Sequence, residues 1–462
     1  MFNRKIFFGS IVLLSALVAP PAESQGMTMP GMPGMKDSTF AKKDSSATRP
    51  MTADDMMIGP LGISMDRMGS GTTWIPDAVA MPSRRTMVGS WMLMGHGFAF
   101  AQYDHQSGKR GDDQLGSLNW AMLMATKELA GGRFQARTML SLDALTVTKR
   151  GYPLLLQTGE TLNGVPIHDR QHPHDFWMEL GALYQRAATK TLGWSIYAAP
   201  SGEPALGPVA FMHRPSAMDN LPAPVGHHWQ DATHIAFGVL TAALFAKEWQ
   251  LEASTFNGRE PDENRWNFDS IRLDSYSARA TFNPDSGWSL SAGYGYLKQP
   301  DASAPGMSMH RITASVQNGK RLGADGQWAS ALIWGANKET GDHSHTQSVL
   351  AESEAVLDRR NTLFARAEFV EKNAHDLDIL PATDHRRFKV GTAELGYVRE
   401  ISSGRYATLG LGAAGTLNFV PLALAPYYGT RTPVGLFVFL RVRPIHSARA
   451  PADDMHGMPM EH

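Results

Sequence analysis

The chain of 462 residues contains no cysteine, so no disulfide can brace it and no lipidated cysteine can tether it. Beyond the extreme N-terminus it has no run of 18 apolar residues, which excludes an ordinary transmembrane helix. Neither sign of charge is in excess: 43 Lys and Arg against 44 Asp and Glu leave a formal net charge of −1. A general nucleic-acid footprint is therefore missing, and nucleic acid is not an expected partner. G-x-S-x-G, H-E-x-x-H and P-loop patterns are also absent, so no motif indicates an enzyme.

What the chain has instead is alternation. Trp288, Leu290, Ala292, Tyr294 and Tyr296 form one face of a segment whose other face is Ser289, Ser291, Gly293 and Gly295. A period of two is that of a strand, not of a helix. About sixteen such segments run from about 89–104 to about 433–443, and most reach the 9–11 residues that a tilted strand needs to cross a bilayer. Tight connections such as Ala130-Gly-Gly-Arg133 and Ser402-Ser-Gly-Arg405 alternate with long ones such as 148–174 and 201–231. The pattern predicts an all-β fold, a transmembrane antiparallel β-barrel of about 16 strands, with 14–18 in range. Its implied surroundings are the lipid bilayer of a Gram-negative outer membrane, with both chain ends in the periplasm.

The organisation follows from this. Residues 1–24 read as a signal peptide, with Arg4 and Lys5, an apolar stretch Ile6 to Ala19 and a small-x-small site at Ala22-Glu-Ser24. Residues 25–87 form a Met/Gly/Pro-rich periplasmic segment, 88–443 the barrel and 444–462 a Met/His-rich tail. Within the first of these, Gly59 to Pro82 is either a plug threaded into the periplasmic mouth or an ordered linker. Phe134, Tyr184, Phe245, Trp249, Phe282, Trp288 and Trp328 are expected on lipid faces at the periplasmic edge, as an aromatic girdle requires. Glu352, Glu354, Asp358, Arg366 and Glu368 are expected to face inward, because lipid exposure of a mid-bilayer Arg costs about 2–4 kcal/mol. By analogy with sixteen-stranded porins, the third long loop, 201–231, is expected to fold into the channel.

Methionine is concentrated at the ends. Of 25 methionines, 14 lie in the first 94 residues. Met27, Met29, Met32, Met35, Met56 and Met57 sit at one end, and Met455, His456, Met458, Met460 and His462 at the other. Gly and Pro at this density oppose helix and strand, so these thioethers are expected to have no core to fill. Thioether sulfur is a soft ligand that suits Cu(I), which makes copper the expected cofactor. The competing reading is a Met-biased linker or a surface for a partner protein.

Histidine is concentrated in two long loops. His168, His172, His174 and Asp175 close one, and His227, His228 and His234 close the next. Both loops end at the same rim, so these residues are candidates for a metal site, for bracing of the loops, or for acid–base chemistry. On the first strand, one register turns Met92, Met94, His96 and Phe98 inward as a soft-donor ladder, and the other turns the methionines into lipid.

The signal peptide, the Met/His/Gly/Pro-rich segment and the following barrel resemble the outer-membrane copper-resistance B family. The stretches DRQHPHD and GPVAFMHRPSAMDN…GHHWQD look like those of a group of exported barrel-like proteins with no assigned activity. The first likeness implies copper handling and periplasmic copper proteins as partners; the second implies no mechanism. The sequence thus predicts a copper-handling outer-membrane barrel. A passive porin is the alternative, and a membrane-embedded enzyme at the histidine-rich mouth is a third reading.

Overall fold

The computed structural model describes residues 51–445, apart from 303, 342–344 and 380–385. Its main sheet has eighteen strands, two of which are short pieces beside the first long strand; the remaining sixteen form the barrel wall. In chain order these are β1 (Trp91–Gln106), β2 (Asn119–Leu129), β3 (Gly132–Leu140), β4 (Trp177–Ala187), β5 (Gly193–Gly202), β6 (Ala236–Phe245), β7 (Trp249–Phe256) and β8 (Ser275–Phe282). They continue as β9 (Trp288–Leu297), β10 (Met309–Leu322), β11 (Gly326–Glu339), β12 (Thr346–Val356), β13 (Asn361–Asn373), β14 (Arg387–Ser403), β15 (Ala407–Phe419) and β16 (Val434–Pro444). Each pairs antiparallel with the next, and β16 returns to β1 from Ala99↔Val442 to Gln106↔Gly435, which closes the ring. Of the two short pieces, Ser83–Val88 makes a hairpin with the start of β1, and Asp113–Gly116 continues the line of β2 along β1.

Alternation sorts the side chains. Trp249, Phe282, Leu290, Val316 and Leu332 are register neighbours on five successive strands, and all are exposed on the outer surface. Such a belt is stable only against hydrocarbon, since a soluble protein rarely leaves so much contiguous apolar surface in water. No helix among the described residues is long and apolar enough to cross a membrane, so the strands are the crossing elements. The tight turns gather at one end of the ring: at the β2–β3 turn Ala130 and Gly131 both adopt positive φ, as a two-residue hairpin demands. The long connections gather at the other end.

The lumen is full. From the turn end, residues 67–80 lie against the inner wall and give their backbone groups to it. Gln250 donates to the Thr72 carbonyl at 3.1 Å, Asn283 to Ile75 at 3.0 Å and Ser289 to Trp74 at 3.1 Å. Gln327 both donates to and accepts from Ala80 at 3.2 Å. This segment is a plug, and it explains one correction. Phe245, expected in the lipid-facing girdle, is buried on the inner face, edge-on to Trp74 at 6.4 Å. Leu244 takes the outward place, because the plug supplies an apolar partner on the inside.

From the loop end, the β5–β6 connection folds inward, as the porin analogy predicts, and nearly every residue from Ser201 to Thr233 is buried. The inner wall pins it. Glu368 accepts from the amides of Val225 and Gly226 at 3.0 and 2.9 Å, Glu354 from that of Asp219 at 2.8 Å, and Glu352 from the Ser216 hydroxyl at 2.8 Å. The expected inward carboxylates Glu352, Glu354 and Glu368 therefore act as anchors for the loop. Asp358 is a correction: it lies exposed in the β12–β13 turn, accepting hydrogen bonds from Asn361. The other unforeseen element is a hairpin, Tyr152–Leu162 with Val165–Gln171, inside the long connection between β3 and β4.

Candidate metal-binding lumen

The two histidine loops do meet. Ring centroids step from His174 to His234 at 5.5 Å, to His227 at 5.1 Å, to His228 at 5.3 Å and to His172 at 6.3 Å. Each ring has a nearby oxygen partner. His174 Nδ1 lies 2.8 Å from Asp143, His227 Nδ1 2.6 Å from Asp231, His228 Nδ1 3.0 Å from Glu260 and His172 Nε2 3.1 Å from Glu160. His234 Nδ1 lies 2.9 Å from the Asp231 carbonyl, and His168, at the rim, is 3.4 Å from Asp378. Asp175 is held by Arg265 at 3.1 Å. Among the described residues no three His, Asp or Glu side chains stand where they could hold a metal ion. The row as built is a set of imidazole–oxygen contacts, mostly within one connection, and the two loops meet through the ring contacts His174–His234 and His172–His228.

Burial sets the charge of this row. It pushes His234 down to about 3, helped by His227 and His174, and it pushes His172 well below 6.5, helped by Arg265. His227 is lowered by burial although Asp231 opposes it. Burial also works against a proton on His228, but the Glu260 carboxylate outweighs it and the pKa is raised. Glu260 is correspondingly lowered, so His228 and Glu260 form an ion pair.

A different donor set lies below, toward the plug. β1 takes the register that turns Met92, Met94, His96 and Phe98 inward. His96 is the register neighbour of Met122 on β2, which neighbours Met139 on β3, so a single cross-strand row carries one imidazole and two thioethers. His96 Nε2 lies 3.1 Å from the Met122 sulfur. His213, brought in by the inward loop, places its Nε2 3.2 Å from the Met139 sulfur, and the two imidazoles are 5.4 Å apart. The other nitrogen of His96, Nδ1, is buried without a hydrogen-bond partner. Burial holds His213 well below the usual histidine range, so it is a neutral ring with a lone pair at neutral pH.

Beneath these rings is a cavity of ≈ 50 Å³ lined by eight methionines. Met94, Met122 and Met124 come from the wall; Met57, Met65 and Met68 come from the segment that enters the barrel. Here the expectation of structureless ends is corrected. Met56 and Met57 are buried, in one cluster with Met65 and Met92. They have a core because the plug and β1 build one around them. Met27, Met29, Met32, Met35, Met455, His456, Met458, Met460 and His462 lie outside the described residues. Met122, Met124 and Met139 were not legible as site residues, whereas His213 stands in the second histidine loop with His227, His228 and His234. For the wall, the alternation M-x-M-x-H of β1 was the only signal, and it was ambiguous in register.

No family model and no curated protein matches the sequence. Among solved structures, the chain is similar to OmpF of Salmonella typhi in complex with daunomycin, at 11% identity and a TM-score of 0.49, covering 78% of this chain and 100% of that one. It is also similar to in-vitro folded OmpT of Vibrio cholerae, at 8% identity and 0.45, covering 78% and 99%. A third is the anion-selective porin of Comamonas acidovorans, at 12% identity and 0.43, covering 76% and 99%. The chain is a closed sixteen-stranded antiparallel barrel. Identities this low carry neither cargo nor selectivity from one barrel to another.

Proposed function

We propose that this chain is a Gram-negative outer-membrane barrel that handles copper from its periplasmic side and is closed to free diffusion of solutes. The observation that supports the reading is the continuity of soft donors: methionines crowd the chain ends and continue, through Met56, Met57 and Met65, into the barrel beside Met92. Cu(I) is the ion whose softness matches a thioether-rich set. The filled lumen argues against a passive conduit, since a segment from one end and a loop from the other occupy the space a solute would need. Periplasmic copper proteins are the partners such a role requires, as donors or acceptors of the ion.

Two measurements test this. A strain lacking the protein should tolerate less copper, and the purified barrel in a planar bilayer should give no steady ohmic conductance. Steady porin-like conductance together with unchanged copper tolerance would replace this reading with that of a passive porin.

A further inference from the structure

We infer that the barrel interior holds a Cu(I) site of its own, formed by the imidazoles of His96 and His213 and the thioethers of Met122 and Met139. The inference rests on the copper reading above but moves the ion from the chain ends into the wall.

The four donors come from three adjacent strands and the inward loop, and they already face one another in two nitrogen–sulfur pairs, at 3.1 and 3.2 Å. An ion bound at about 2.0 Å from nitrogen and about 2.3 Å from sulfur needs each pair to open to about 3.5 Å for tetrahedral angles. Unbranched methionine side chains, with three rotatable bonds, give that much without moving the backbone. Trp120 packs against both rings, 5.1 Å from His96 and 4.6 Å from His213, and walls off one side. The methionine-lined cavity below supplies the approach from the plug.

Packing alone does not call for this set. Leucine fills a core as well as methionine, and an imidazole is a costlier group than a hydrocarbon to bury in an apolar cluster. The chemistry also selects among ions. Asp66 is the only carboxylate on the cavity, and Arg137 also lines it. A divalent hard ion would meet a nearby positive charge with few oxygen ligands to offset it. A monovalent soft ion brings half the charge and takes the sulfurs that a hard ion refuses. Ag(I) meets the same conditions and is a redox-inert probe for the site.

The test uses the full-length chain in detergent, with folding checked by heat-modifiable gel mobility. In one background Met27, Met29, Met32, Met35, Met455, Met458 and Met460 are leucine, and His456 and His462 are glutamine, which silences the ends. Cu(I) is titrated under reducing conditions against a chromogenic chelator, and Ag(I) in parallel. The silenced chain should retain about one Cu(I), the number a single four-donor site can hold, with nitrogen and sulfur in its X-ray absorption spectrum. Met122→Leu with Met139→Leu in that background should weaken binding at least tenfold. His96→Gln, which changes no sulfur, provides a second variant and should remove the nitrogen scattering. Equal binding by the silenced chain and its lumen variants would overturn the site. If the native chain binds Cu(I) but the silenced one does not, the lumen site is overturned and the ends remain the copper ligands. If the native chain binds none, the copper reading falls with it.

Discussion

Arg214 of the inward loop and Glu352 of the barrel wall form an ion pair at 2.6 Å, and neither side chain is exposed. Arg214 also reaches Asp231 at 2.7 Å, and Glu352 also meets Arg366 of β13 at 3.2 Å. A charge this deep is stable only while paired, because removing one partner leaves the other desolvated. The pair therefore ties the inward position of the loop to the integrity of the wall.

Arg214→Met should release the loop. The expected cost is about 3–5 kcal/mol, the range for breaking a buried pair from one side. Denaturant unfolding and loop proteolysis report it, together with a rise in bilayer conductance above that of the native barrel. Glu352→Gln combined with Arg214→Met should cost less than the two changes summed. Additive costs would show that the pair is not coupled.

The His228–Glu260 contact at the loop end predicts a pH window. Below pH 6.5 the contribution of His228 is fully present, and it fades as pH rises through its raised folded pKa. The contribution of Glu260 is present above pH 4.5 and is lost as pH falls through its lowered folded pKa. Glu260→Gln should therefore weaken loop docking most between these values, by about 1.5–3 kcal/mol for a charged hydrogen bond, and less at higher pH. Limited proteolysis of native and variant barrels across pH 4–9 checks it; a pH-independent difference would remove the ion pair as the cause.

Gly335 on β11 is a point of close approach rather than of backbone freedom. A Cβ there would stand 2.0 Å from the Trp229 carbonyl oxygen of the inward loop. Gly335→Ala should lift the loop from the wall at about 1–3 kcal/mol, the usual cost of overpacking, without disturbing strand pairing. Unchanged circular dichroism with faster loop cleavage is the expected result.

Met56 tests whether the entering segment is structural. Met56→Ala should destabilise the barrel by about 2–5 kcal/mol, as for other buried large-to-small changes. Met56→Leu keeps the volume and should cost less than about 1.5 kcal/mol. Equal, negligible effects of both in a denaturant series would mean that the cluster with Met65 and Met92 carries no stability.

The sequence by itself determined the wall. Sixteen alternating segments, the tight turns at one end and the inward carboxylates follow from a period of two and from the cost of charge in lipid, both local properties of the chain. It also brought the histidine loops to one rim, because each loop continues directly into a strand. Only the tertiary structure decided what fills the interior. Whether Phe245 faces lipid or lumen depends on Trp74, 171 residues earlier in the chain. Whether Met92 and His96 face inward is a choice of register that either parity of β1 would allow. The joining of His96 to Met122, and of His213 to Met139, needs strand pairing and loop docking at once. Such contacts leave no periodic trace, since they are made between segments whose separation along the chain carries no information about their approach.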